Sequence, residues 1–157
     1  MLKLTQPQQA KIYNHAQITY PEECCGILFG IFSGNQETEV VEVWETENAW
    51  ESSSEELFSA VTVSEKEKTL SRRERFTIAP TDLLKAQKHA RQNNLEIVGI
   101  YHSHPDHLTN PSEFDRAIAW ETYSYLIISV QQGKVMDCRS WVLDDQHNFQ
   151  EETIVIL

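Results

Sequence analysis

The sequence predicts an α/β (α+β) fold, with helices flanking a mixed, mostly antiparallel central sheet. Three observations carry this. Apolar runs at residues 25–32, 97–101 and 125–130 are too short for helices and show no polar alternation, as strands buried on both faces do. Helix-start signals, Thr5 with Pro7 and then Pro80-Thr81-Asp82, precede apolar residues at helical spacing. Turn residues Ser33-Gly34-Asn35 and Gln132-Gly133 separate strand-like runs in the way hairpins require. The chain of 157 residues is long enough for one real core and shows no internal repeat.

The first helix opens at Thr5, turns Ala10, Tyr13, Ala16 and Ile18 inward, and is ended by Pro21. The strand at 25–32 contains Gly26 and Gly30, which weaken a strand and are read as points where another group approaches closely. A strand at 39–46 completes an antiparallel hairpin. From 47 to 73 the period is lost, and this stretch is read as an insertion or mobile loop within one domain covering residues 1–157. Residues 75–79 read as a short strand, followed by a helix with Leu83, Leu84, Ala86, Ala90 and Leu95 on its apolar side. A strand at 96–101, a loop at 106–111, a short helix near 115–120 and a strand at 125–130 follow. The strands at 135–143 and 149–156 read as a final hairpin about an acidic turn.

A net charge of -11 disfavours nucleic acid and anionic membrane as partners, because phosphate must be met by basic charge. The cluster Arg72-Arg73-Glu74-Arg75 is interrupted by an acid and reads as a solvated loop. No apolar run approaches the roughly 20 residues of a membrane helix, and the N-terminus lacks a signal-like stretch. A cytoplasmic protein is expected. Cys24, Cys25 and Cys138 are too few and too irregular for a disulfide framework. The adjacent pair reads as small buried residues or, alternatively, as a redox-sensitive pair.

The chemistry concentrates in Gly99-Ile100-Tyr101-His102-Ser103-His104-Pro105 and the later Ser112-Glu113-Phe114-Asp115. Positions two apart on a strand share a face, so His102 and His104 can aim ring nitrogens at one point. Pro105 cannot continue a central strand, which places both histidines where the strand runs out. Two histidines and Asp115 leave a coordination position open, as catalytic zinc sites do. Each part has a plainer explanation: a strand-end histidine pair without metal, and a capping box in which Asp115 reaches back to Ser112. In the second case Asp115 would serve the cap instead of the metal. His107 sits in the loop out of register with the pair, and His15, His89 and His147 lie in polar surroundings and read as exposed.

Together these residues resemble the JAMM (MPN+) zinc metalloprotease family, whose motif is His-x-His-Pro followed by Ser-x-x-Asp, with an upstream Glu-x-x-Gly. Glu23-Cys24-Cys25-Gly26 fits the upstream element, and its spacing to Gly26 favours Glu23 over Glu22. The resemblance, to the short bacterial form, spans about residues 5–150 apart from the 47–73 stretch. It implies an MPN/JAB fold of cytidine-deaminase-like type, and Zn²⁺ held by His102, His104 and Asp115. It also implies Glu23 as general base and acid, Ser112 as donor to the oxyanion, and cleavage after the C-terminal Gly-Gly of a ubiquitin-like or ThiS/MoaD-like sulfur-carrier protein. Such a tail would bind extended along a sheet edge, with the 47–73 stretch a candidate groove wall or lid. The rival reading is a non-catalytic interaction module of the same fold. A nucleobase deaminase, which also pairs zinc with a glutamate, would carry a Pro-Cys-x-x-Cys that is missing here.

Overall fold

A computed structural model describes residues 1–51 and 70–157. The elements in chain order are β1 Leu2–Leu4, α1 Gln6–Thr19, β2 Cys25–Ser33, β3 Glu37–Thr46, α2 Pro80–Gln92, β4 Glu96–Pro105, α3 Glu113–Ile118, β5 Ser124–Gln131, β6 Lys134–Leu143, β7 Phe149–Glu152 and β8 Ile154–Ile156. All eight strands join one mixed sheet in the order β7-β6-β5-β4-β2-β3-β1-β8. The expected insertion at 47–73 falls mostly on residues 52–69, outside the described residues.

The centre of this order positions the site. β2 and β4 run antiparallel with Cys25 opposite His102, so the residues just before β2 meet the end of β4. On its other side β4 runs parallel to β5. A parallel pair needs a crossover, and the loop with α3 supplies it, carrying Ser112 and Asp115 back over the same strand end.

Leu28, Val98, Tyr101, Leu126 and Ile128 form a core with α1 through Ile12 and Ala16. Ile27, Phe29, Ile100 and Tyr125 form a second core with Phe76, Ile78 and the Ala86 and Ala90 stripe of α2. Thr5 caps α1 in a capping box with Gln8. The buried stripe of α1 is Ile12, Tyr13 and Ala16, whereas Ala10 and Ile18 are exposed. At 100° per residue, those two lie well round the helix from Ile12. Leu84 likewise lies well over a third of a turn round α2 from the Ala86 and Ala90 stripe and is exposed.

Other expectations are corrected by hydrogen bonding. Residues 75–79 are not a strand: Thr77 O accepts from Ala49 N at 2.9 Å, while Thr77 N donates to the Asn48 side chain at 3.3 Å. β4 does not stop before Pro105, which pairs in register with Val130 of β5. On the opposite side the β2 register has already ended at Cys25, so the missing proline N–H interrupts no ladder there. The final hairpin is broken at Thr153. β7 pairs with β6, whereas β8 pairs with β1, itself a strand not foreseen, in which Leu2 and Leu4 are fully buried. One residue thus links the two ends of the strand order, so the sheet curls until its edges meet.

The two strand glycines do mark close approaches. A Cβ at Gly26 would overlap the Tyr101 ring and the Trp44 carbonyl, and one at Gly30 would overlap the Glu39 carbonyl. Cys24 and Cys25 are buried free thiols, and burial pushes both up to about 12, in line with the small-buried-residue reading. Among the described residues no helix is long and apolar enough to cross a membrane.

Candidate functional site

His102 and His104 project from one face of β4, and their Nε2 atoms stand 3.1 Å apart. The His102 ring stacks on Phe76, with centroids 4.4 Å apart and planes 23° apart. His104 Nδ1 lies 2.7 Å from the Leu108 carbonyl. A carbonyl accepts only, so Nδ1 carries the proton and Nε2 presents its lone pair to the site. Asp115, in the first turn of α3, sets Oδ1 3.4 Å from His102 Nε2 and Oδ2 3.3 Å from His104 Nε2. Glu23, just before β2, brings Oε1 to 3.9 Å from His104 Nε2. All four side chains are buried: Glu23 is 4%, His102 1%, His104 8% and Asp115 5% exposed. The neighbouring Glu22 is half-buried and joins none of these contacts.

The capping box and the site coexist. Asp115 Oδ2 accepts the Ser112 amide at 2.8 Å, and Ser112 Oγ accepts the Asp115 amide at 3.0 Å. One carboxylate has two oxygens with about four acceptor sites, so Asp115 caps its helix while facing both imidazoles. Treating the two roles as exclusive is thereby corrected. Ser112 Oγ accepts here, which leaves its hydrogen available to another group.

Burial pushes the Glu23 carboxyl well above the usual carboxylate range, the neighbouring Asp115 charge adds to this, and Arg75 opposes it. Burial also works against ionisation of Asp115, but the imidazoles of His102 and His104 outweigh it and hold that carboxyl well below the usual range. The two acids are therefore driven in opposite directions. Burial lowers His102, keeping it neutral as a metal ligand must be.

Donors sharing a tetrahedral ion at about 2.0–2.1 Å lie about 3.3–3.4 Å apart. The 3.1 Å between the two imidazole nitrogens is close to such an edge; Asp115 approaches them through different oxygens, Oδ1 at 3.4 Å from His102 and Oδ2 at 3.3 Å from His104, and Glu23 Oε1 stands 3.9 Å from His104. By proximity alone, donors of Glu23, His102 and His104 also cluster, within 4.8 Å of one another. Asp115 thus faces both imidazoles at once, and Glu23 is the more distant of the two acids from His104. The residues present fit a zinc ion.

Beside this cluster opens a cleft of about 450 Å³, lined by Glu23, His104 and Ser112 and walled by Arg73, Glu74 and Arg75 from one segment and His107, Leu108 and Asn110 from another. The Arg72–Arg75 stretch is therefore not simply a solvated loop. Arg75 is buried, its guanidinium 4.7 Å over the Phe114 ring, and Arg72 O accepts the Glu23 amide at 2.7 Å. The sequence signal for this was the arginine opening the apolar stretch Phe76-Thr77-Ile78-Ala79. His107 lines the cleft without joining the donor cluster. His15, His89 and His147 are half-buried, not exposed, each with a polar partner: Tyr101 Oη at 2.7 Å, Glu42 at 2.7 Å and the Arg116 carbonyl at 2.8 Å.

Residues 5–144 match the family described as prokaryotic homologs of the JAB domain. A stretch of 83 residues is 32% identical to desampylase of Pyrococcus furiosus, covering 52% of this chain and 56% of that protein. The chain thus spans little more than half the length of this curated relative. The solution structure of a protein from Desulfitobacterium hafniense superimposes with a TM-score of 0.75 at 28% identity, covering 100% of this chain and 93% of the other. A protein from Salinibacter ruber superimposes with a TM-score of 0.68 at 28% identity, covering 100% and 92%.

Proposed function

The chain belongs to the family of prokaryotic homologs of the JAB domain, and on that premise we propose that it is a zinc-dependent metallopeptidase of isopeptidase type. Its proposed substrate is a ubiquitin-like or ThiS/MoaD-like sulfur-carrier protein, cut at the peptide or isopeptide bond after the C-terminal Gly-Gly. The observation that carries the reading is the convergence of the His102 and His104 imidazoles and the Asp115 carboxylate, all within 3.4 Å, with the buried acid Glu23 beside them. The likeness to desampylase of Pyrococcus furiosus supports the substrate class. We read residues 1–157 as one domain.

Zinc held by His102, His104 and Asp115 would supply Lewis acidity, polarising the scissile carbonyl and lowering the pKa of water toward about 7. His104 keeps its lone pair on the site because its ring N–H, at Nδ1, donates to the Leu108 carbonyl. Glu23, buried and with raised proton affinity, accepts a proton from the attacking water and returns it to the leaving amine. Ser112 donates its free hydroxyl hydrogen to the carbonyl oxygen as charge develops, an effect of about 2.7–4 kcal/mol for donors of this kind. A Gly-Gly tail without side chains suits an approach between the 73–75 wall and the 107–110 wall.

The test is to incubate zinc-loaded protein with ubiquitin-like and sulfur-carrier fusions and identify products by mass spectrometry. Wild type should cut after Gly-Gly, Glu23→Ala should not, and Glu23→Gln should trap proteins ending in Gly-Gly from lysate. Stoichiometric zinc with no cleavage of any fusion would favour the interaction-module reading.

A further inference from the structure

Asn48 lies outside the donor cluster, yet it joins the three segments that hold Glu23. Its Nδ2 donates to the Glu23 carbonyl at 3.0 Å and to the Arg75 carbonyl at 2.9 Å. Its Oδ1 accepts the Trp50 amide at 3.0 Å and the Thr77 amide at 3.3 Å. Two donors and two acceptor sites are all that an amide side chain has, and every one is used.

The surrounding bonds share this pattern. Glu23 N donates to Arg72 O at 2.7 Å and Ala49 N to Thr77 O at 2.9 Å. Trp50 Nε1 donates to Leu70 O at 3.1 Å, and Arg72 Nε to Trp50 O at 2.9 Å. Residues 70–79 belong to no helix or strand. No sheet ladder therefore fixes the cleft wall against Glu23, and a side chain shares that task with the Glu23 N–Arg72 O bond. Chemistry restricts which side chain can do so. Aspartate would set acceptors against two carbonyls, and serine is too short and has a single donor.

We propose that Asn48 is a positioning residue: it fixes the Glu23 backbone against the Arg73–Arg75 wall of the cleft, and so sets where the Glu23 carboxyl stands relative to the scissile bond. The proposal rests on the reading of Glu23 as the proton-transfer group. Asn48 meets only the backbone of Glu23 and Arg75 and bonds to none of His102, His104 and Asp115, so zinc content should not depend on it.

The test compares zinc-loaded wild type with Asn48→Asp and Asn48→Ser by residue-resolved hydrogen exchange and by kinetics on a Gly-Gly fusion. Exchange at the Glu23 and Thr77 amides should rise about tenfold, while Ile127 and Ile128 of β5 keep wild-type protection and zinc content is unchanged. In the same samples kcat should fall about 10²-fold with KM nearly constant, as expected for a displaced catalytic group. Ser140→Ala is the control for simple destabilisation. It removes a buried bond to Glu152, 2.7 Å long, in the β6–β7 pairing, and should lower Tm without moving kcat. Wild-type exchange in both variants, a loss confined to KM, an equal kcat loss in Ser140→Ala, or failure of both variants to fold would each overturn the proposal. Local exchange as expected in a protein that cleaves no fusion would support the clamp on Glu23 and overturn the hydrolase reading instead.

Discussion

Asp115 and Ser112 exchange two hydrogen bonds across the first turn of α3, and the same Asp115 carboxylate spans the Nε2 atoms of His102 and His104 at 3.4 and 3.3 Å. The cap and the proposed metal site thus share one side chain, and substitutions should separate them.

Asp115→Asn keeps an amide oxygen for the cap but loses the charge. The metal-free Asn variant should retain its Tm to within a few degrees while zinc stoichiometry collapses. Asp115→Ala should lose zinc and also about 1 kcal/mol of stability from the cap. Thermal melts with and without chelator, alongside metal analysis, make the distinction.

Stability of the metal-free protein should depend on pH through Glu23. Its carboxyl is raised by burial in the folded state, so the unfolded chain ionises first, near the ordinary value of about 4.3. Stability should then fall by up to about 1.4 kcal/mol per pH unit as pH rises from there toward the folded-state value. Glu23→Gln removes that term, so it should match wild type near pH 4 and exceed it at pH 7. Asp115 has the opposite sign: its contribution is present above the unfolded value of about 3.9 and is lost as pH falls through its depressed folded value. Urea melts of both proteins across this range check the prediction; equal pH profiles would contradict it.

Zinc should stabilise the fold by mass action, by about 2.7 kcal/mol when free metal is a hundred times its Kd. Chelation should lower the wild-type Tm and leave that of His102→Ala unchanged, as read by calorimetry.

Gly26→Ala should destabilise by about 1–3 kcal/mol or more, because the new methyl meets the Tyr101 ring and a backbone carbonyl that cannot yield. Denaturant midpoints would show this. Little or no loss would mean that Tyr101 moves aside.

Much of this was legible before any coordinates. The buried strands announced themselves as apolar runs, and the two glycines inside β2 signalled close approach. His102, His104 and Asp115 stood out as ligand-type residues at short spacing, whereas Glu23, far upstream, was picked out only through the resemblance, and the fold brings it to 3.9 Å from His104. What was hidden depends on partners distant in sequence. β1 is three residues long and is a strand only because β3 and β8 flank it. Residues 75–79 have strand composition, but their amide partners come from Asn48 and Ala49. The Arg72–Arg75 turn looks solvated in sequence and becomes a cleft wall through the bond from the Glu23 amide to Arg72 O.

In the proposed mechanism His102, His104 and Asp115 hold the metal while Glu23 serves it without binding it. The most direct measurement compares zinc affinity in wild type and Glu23→Gln, together with cleavage of a Gly-Gly fusion. Equal zinc affinity with cleavage abolished in the variant is the predicted result. A large loss of zinc affinity in Glu23→Gln would make Glu23 a ligand and contradict the account.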